Sequence, residues 1–318
     1  KKIEDKDYAY EHIELERVQD GIMAKRSNKL SISEFPVNKK AQDKTGCLVV
    51  WERPISNPEF GAYYASIDPV SEGKTTTSDS LCSIFVYKNS VEITRETQNG
   101  LEHFIEPAKI VAAWCGRYND INKTHEQLEL IIQWYNAWTL VENNISLFIQ
   151  HMIAKKKQKY LVPKQQILFL KDLGSNRTVY QEYGWKNTGT LFKSHLISYA
   201  IEFLREEIDV ETDQDGNVLN TTLGIERIPD PMLLKEMLAY YPGLNVDRLV
   251  AFSALVAFSK IQESNRGYLK RRESESDNSL DNSKNLYKLK YSPFKNLGRG
   301  KTTVGGHKIK RSAFKNIR

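Results

Sequence analysis

Three carboxylates stand where the local pattern asks for something apolar or for a turn. Asp68 closes the run Tyr63-Tyr64-Ala65-Ser66-Ile67 and is followed at once by Pro69. Glu142 closes the short run Leu140-Val141 and is followed by Asn143 and Asn144. Asp247 comes after Gly243-Leu244-Asn245, where an apolar helical pattern begins. A carboxylate at the mouth of a central strand is costly unless it is paired or binds a metal. Gathered at one place, three of them repel, and shared divalent cations relieve the repulsion. Hard oxygen ligands select Mg²⁺ or Mn²⁺. Two such ions about 4 Å apart stabilise the attacking and leaving oxygens of a phosphodiester displacement. Each residue also has a structural alternative: Asp68 capping the following loop, Glu142 paired with a lysine, Asp247 as the N-cap of its helix.

The elements that would position them are legible as patterns. Tyr63 to Asp68 reads as a buried strand that Pro69 ends, with Tyr64, Ser66 and Asp68 on one face. Leu81–Tyr87 and Val91–Thr97 read as a hairpin across Lys88-Asn89-Ser90, and Ile110–Trp114 as a further strand. Leu128, Ile131, Ile132 and Tyr135 mark one face of a helix over residues 122–138, and the Glu142 strand follows it. Strand, helix, strand is the grammar of a mainly parallel α/β sheet. Further helices are expected over residues 145–159, 191–207 and 246–261, and after the Asp230-Pro231 start signal. A strand is expected at Ile167–Leu170 and a hairpin around Asp215-Gly216. Residues 1–60 read as a connecting segment: a weak helical pattern from Tyr8 to Val18, then polar sequence, then an edge strand at Cys47–Trp51.

At 318 residues, with 40% hydrophobic and 27% charged, the chain can bury one large core or two modest ones. No apolar run approaches the roughly 20 residues of a membrane span, and no signal peptide opens the sequence. The first residue is not Met, which reads as a fragment of a longer chain. Three separated cysteines without a CxxC pair argue against a zinc site or a disulfide framework. Residues 264–318 hold 15 Lys and Arg against 4 Asp and Glu, a net +11; the whole chain is +6, so residues 1–263 carry −5. A mildly acidic body with a basic, low-complexity tail points to a polyanion such as nucleic acid, or to a solubilising, disordered end.

Two lookalikes fail on spacing. Gly73-Lys74-Thr75 and Gly300-Lys301-Thr302 lack the earlier glycine of a P-loop, since Asp68 and Lys295 stand there. Asp213-Gln214-Asp215-Gly216 places its glycine too early for an EF-hand, and Gly224 occupies the position of the closing glutamate.

In order and context the motifs resemble the nuclease half of tailed-phage large terminase subunits. The resemblance covers about residues 45–262. It rests on Leu48-Val49-Val50-Trp51-Glu52-Arg53-Pro54 leading to Tyr64–Pro69, on Asp79-Ser80, on Tyr135-Asn136-Ala137 through Val141-Glu142-Asn143-Asn144, and on Tyr183-Gly184-Trp185, Lys193 and Asp247–Ala251. It implies a ribonuclease-H-like α/β fold: a mixed sheet flanked by helices over residues 61–263, between the connecting segment and the disordered basic tail. It implies a two-metal endonuclease cutting double-stranded DNA during viral genome packaging, in the host cytoplasm as virions assemble. Asp68, Glu142 and Asp247 would bind two Mg²⁺ or Mn²⁺ ions, Asp79 would join the metal shell or orient a water, and Lys193 and Arg248 would contact DNA. Portal and small terminase subunit would be partners, and the family's ATPase motor would lie on a part of the protein absent here. Many relatives carry Asp-Asp where this chain has Asp247-Arg248, so one carboxylate is missing. The alternatives are a catalytically idle module of the same fold that binds DNA or partners, and a junction-resolvase-type nuclease.

Overall fold

The computed structural model describes residues 9–36, 44–73, 80–97, 100–106, 108–164, 182–186, 190–212 and 218–276. Lys1–Tyr268 and Leu269–Arg318 form separate compact units, and the elements that position the three carboxylates lie in the first.

Its centre is a seven-stranded open sheet. In chain order the strands are β1 (Glu11–Val18), β2 (Gly21–Arg26), β3 (Leu48–Val50), β4 (Tyr63–Asp68), β5 (Cys82–Lys88), β8 (Lys109–Gly116) and β9 (Trp138–Val141). In space the order is β2-β1-β3-β8-β5-β4-β9. Every neighbouring pair is antiparallel except β4 and β9, so the sheet is mixed and mostly antiparallel, not mainly parallel. The strand–helix–strand reading holds locally, but the crossover from β8 to β9 passes over β5 and β4.

Helices cover both faces. On one side α1 (Ile121–Tyr135) and α2 (Leu147–Ala154) pack Leu128, Ile131, Ile132, Phe148 and Met152 against Tyr63, Ala65, Ile67 and Ile84. On the other, α3 (Thr190–Arg205), α4 (Pro231–Ala239) and α5 (Asp247–Ser276) pack Leu196, Phe203, Leu233, Phe252 and Phe258 against Tyr64, Phe85 and Leu140. The alternation of β4 therefore decides which helices meet Asp68: like Tyr64 and Ser66, it faces the α5 side.

Several expectations are corrected. The helix expected over Tyr8–Val18 is not found in its described part, where Glu11–Val18 is a strand. Ile13 and Leu15 are buried while Glu14 and Glu16 are exposed, a period of two, and β1 pairs with β2 and β3. Sheet pairing overrides the helix-favouring Glu and Arg there. The strand at Leu48–Val50 is internal, lying between β1 and β8, so three strands within the segment read as a connection, β1, β2 and β3, belong to the sheet. Val91–Thr97 does not pair back onto β5, both of whose edges are taken by β4 and β8. It forms β6, which pairs with β7 (Gly100–Glu106) in a sheet of its own. Helix α5 continues past Ile261 to Ser276, because Leu269-Lys270-Arg271-Arg272-Glu273 are good helix formers despite Gly267. The strand expected at Ile167–Leu170, Asp79 and residues 277–318 lie outside the described residues. The Asp215-Gly216 turn does too, but β10 (Glu207–Thr212) and β11 (Val218–Leu223) pair antiparallel on either side of it. Asp230 caps α4 as expected, accepting from the Met232 N–H at 2.9 Å, with Pro231 in the first turn. Among the described residues no helix is long and apolar enough to cross a membrane.

Candidate active site

Parallel pairing brings the first two carboxylates together. Ile67 is in register with Val141, and the Glu142 N–H donates to Ile67 O at 2.9 Å, so Asp68 and Glu142 are neighbours on one sheet edge and one face. Gly184 makes the second half of this possible. Trp185 makes an isolated parallel bridge with Glu142, and its N–H donates to Val141 O at 2.9 Å. Gly184 adopts φ +68°, and an added Cβ would overlap the Val141 carbonyl. Only glycine lets the backbone come so close here. Asn144 Nδ2 then donates to Glu142 Oε1 at 2.6 Å and orients it.

Asp247 arrives from the opposite layer as the first residue of α5. Its Oδ2 accepts from the Leu81 N–H at 2.7 Å and from Asn245 Nδ2 at 3.2 Å. That carboxylate oxygen therefore links α5 to the start of β5, which answers the N-cap alternative. Asp68, Glu142 and Asp247 line one cavity of about 260 Å³, together with Glu72, Asn144, Arg117, Lys193 and Asn245.

The electrostatics follow from crowding and burial. Burial is the main reason the Asp68 carboxyl lies well above its ordinary value, with the charges of Glu142 and Asp247 adding to it and a hydrogen bond to Glu142. Lys193 pulls the other way. Burial also pushes Asp247 up to about 6, against the Leu81 N–H, Asn245, Arg248 and Lys193, which favour its charge. Like-charged acids sharing a site resist ionising together. Among the described residues no group of three His, Cys, Asp or Glu side chains is arranged to hold a metal ion. The present arrangement has a physical reason: Asp68 and Glu142 satisfy one another through a hydrogen bond, and Asp247 Oδ2 is spent on Leu81 and Asn245. Three carboxylates nevertheless line one cavity, and carboxylate oxygens are the donor type that hard divalent cations prefer. No protein-family model matches this chain, and no curated protein does.

Lys193, expected to contact DNA, is half-buried in the wall of this cavity. Arg248 is not part of that wall. It is 4% exposed and turned away into the core, with Nη1 on Glu236 Oε1 at 3.2 Å, Nη2 on Ile32 O at 3.0 Å and Nε 3.8 Å from Asp230 Oδ2. A DNA phosphate cannot reach it, so its assignment to DNA is withdrawn in favour of a buried ion-pair role between α4 and α5. Glu236 completes that joint by accepting from the Leu249 N–H at 3.1 Å. Arg248→Ala is expected to cost about 3–5 kcal/mol at pH 8, since two buried acids lose their partner. Burial already pushes Glu236 up to about 7 beside the arginine, so it can take a proton as pH falls and the cost should shrink by pH 6. Chemical denaturation at both pH values checks this. Wild-type stability at both pH values would show that the buried ion pairs contribute nothing to the α4–α5 joint.

Sequence reasoning missed Arg117, Asn144, Asn245 and Glu72. The two asparagines were visible close to their acids in the sequence, but without a role in the site. Arg117, just past the last residue of β8, carried no periodic signal.

Proposed function

We propose that this chain is a divalent-metal-dependent endonuclease on a ribonuclease-H-like fold, hydrolysing phosphodiester bonds of double-stranded DNA. The observation that carries the reading is the convergence of Asp68, Glu142 and Asp247, from two parallel strand ends and a helix start, on one cavity whose wall also holds Lys193. Glu142 is buried, Asp68 and Asp247 are half-buried with carboxyls above their ordinary values, and such crowding of acids from separate elements supports a site built for chemistry.

Asp68, Glu142 and Asp247 would hold the ions, Asn144 orienting Glu142 and the Leu81 N–H with Asn245 orienting Asp247. When bound, divalent cations supply positive charge for the oxygens that attack and leave the phosphorus. The cavity has several times the ~30 Å³ that a water molecule occupies, room for a phosphate group and its counter-ions. Lys193 lines the same cavity, and its ammonium would pair with a non-bridging phosphate oxygen there. Contacts of this kind position DNA without reading its sequence, so cutting should be sequence-indifferent. The terminase resemblance adds the biological setting as part of the proposal: genome packaging, with portal and small terminase subunit as partners and a motor domain elsewhere in the protein.

Supercoiled plasmid incubated with Mg²⁺ or Mn²⁺ is expected to be nicked and then linearised at scattered positions, and EDTA should stop the reaction. Binding without cleavage in either ion would make the chain an idle module. Preferential cutting of four-way junctions over linear duplex would favour a resolvase.

A further inference from the structure

Arg117 is a buried cation that none of the roles above uses. It follows β8, is 4% exposed, and its own N–H donates to Lys44 O at 2.6 Å. Its guanidinium spends its donors on backbone carbonyls from both ends of the connection between β4 and β5. Nε donates to Glu72 O at 3.0 Å and to Gly73 O; Nη1 donates to Ser80 O at 3.0 Å. The Glu72 carboxylate is 3.6 Å away from Nη2 but largely exposed, a weak partner for a buried charge. Burying a guanidinium mainly on carbonyl oxygens, without an equally buried counter-charge, carries a desolvation cost that its hydrogen bonds must offset. A second contact presses the same place: an added Cβ on Gly73 would overlap the backbone carbonyl of Asn119, in the turn between β8 and α1. At the far end, Ser80 and Leu81 join directly to the acidic site. Ser80 Oγ accepts from Asn245 Nδ2 at 3.2 Å, and the Leu81 N–H donates to Asp247 Oδ2.

We propose that Arg117 is a positioning residue for the carboxylate site: it clamps the two ends of the β4–β5 connection and so holds the Leu81 N–H that aims Asp247. The proposal rests on the nuclease reading for the purpose of the site, though the clamp itself can be measured without it. A planar fork with several fixed donors can hold carbonyls from two directions at once, and an ammonium cannot reproduce that. The clamp also makes a prediction opposite to that of simple electrostatics. Removing a positive charge from the wall of an acidic cavity would by itself tighten cation binding.

The test uses the whole chain with Arg117→Lys, Arg117→Ala and Gly73→Ala. Two quantities are measured: Mn²⁺ affinity by calorimetry, and amide hydrogen exchange at Leu81 compared with the core residue Ile84. The clamp predicts faster exchange at Leu81 with Ile84 still protected, in all three variants. It also predicts Mn²⁺ binding about 10–100-fold weaker in Arg117→Lys as well as in Arg117→Ala, the scale seen when an outer partner of a ligand is lost. In plasmid cleavage kcat should fall with little change in KM. Wild-type behaviour of Arg117→Lys with tighter Mn²⁺ binding in Arg117→Ala would overturn the proposal in favour of a purely electrostatic role. Parallel loss of protection at Leu81 and Ile84 would overturn it in favour of general folding support. Should the wild-type chain bind no Mn²⁺, the nuclease reading fails and the site role of Arg117 with it, whatever Leu81 exchange shows of the clamp.

Discussion

Asp68→Asn, Glu142→Gln and Asp247→Asn are each expected to lower DNA cleavage by at least about 100-fold while leaving the fold intact, the upper end of what loss of even an outer partner of a metal ligand costs. Each substitution removes one formal charge and keeps a similar shape and one acceptor oxygen. In Asp247→Asn the remaining amide oxygen could still accept from the Leu81 N–H, so the helix start should keep its link to β5. What disappears is negative charge in a cavity where three acids from separate elements converge. DNA affinity measured without divalent ions should be unchanged or higher, since less negative charge faces the phosphates. Nicking assays in Mg²⁺ and Mn²⁺, beside thermal melts, provide the check. Near wild-type cleavage in any two variants would remove the carboxylates from the chemistry and leave them as structural acids.

Asp247 should also make the ion-free protein less stable as pH rises. Its folded value is pushed up to about 6 by burial, against an ordinary 3.8. Between those values the folded chain holds a proton that the unfolded chain releases, so stability falls as pH climbs through the window. Above pH 6 the full penalty applies, about 3 kcal/mol from this one group. Asp247→Asn should therefore melt higher than wild type at pH 8 in EDTA, with the gap closing by pH 4. Mg²⁺ or Mn²⁺ should stabilise wild type most at pH 8 and little at pH 4, because a protonated carboxyl is a poor ligand. Other acids, the half-buried Asp68 and the buried Asp230 and Glu236, shift in the same direction. The difference between wild type and variant isolates Asp247. A gap independent of pH would show that Asp247 is not the titrating group.

The strongest local patterns carried their own structure. Pro69 ended β4, the 3-and-4 spacing of Leu128, Ile131, Ile132 and Tyr135 made α1, and Asp230-Pro231 opened α4. Period and punctuation are properties of neighbouring residues, so no distant contact is needed to read them. The acids at strand ends were visible for the same reason: a charge that interrupts an apolar run is a local anomaly. Their meeting was not. Asp68 and Glu142 are 74 positions apart in the chain, and only the parallel register of β4 with β9 makes them neighbours. The layer on which α5 lies then decides that Asp247 joins them. Non-local pairing also overruled local preference at Glu11–Val18, where sheet partners outweighed helix-favouring residues, and at Val91–Thr97, which paired forward because both edges of β5 were occupied. Arg248 shows the limit from the other side. Its place in sequence next to Asp247 suggested a role in the site, yet successive residues of a helix point about 100° apart, and the tertiary fold offered Glu236 and Asp230 in the direction Arg248 faces. Arg117 was invisible for the complementary reason: its partners are backbone carbonyls, which carry no residue signature, and only the folded chain brings those carbonyls around one guanidinium.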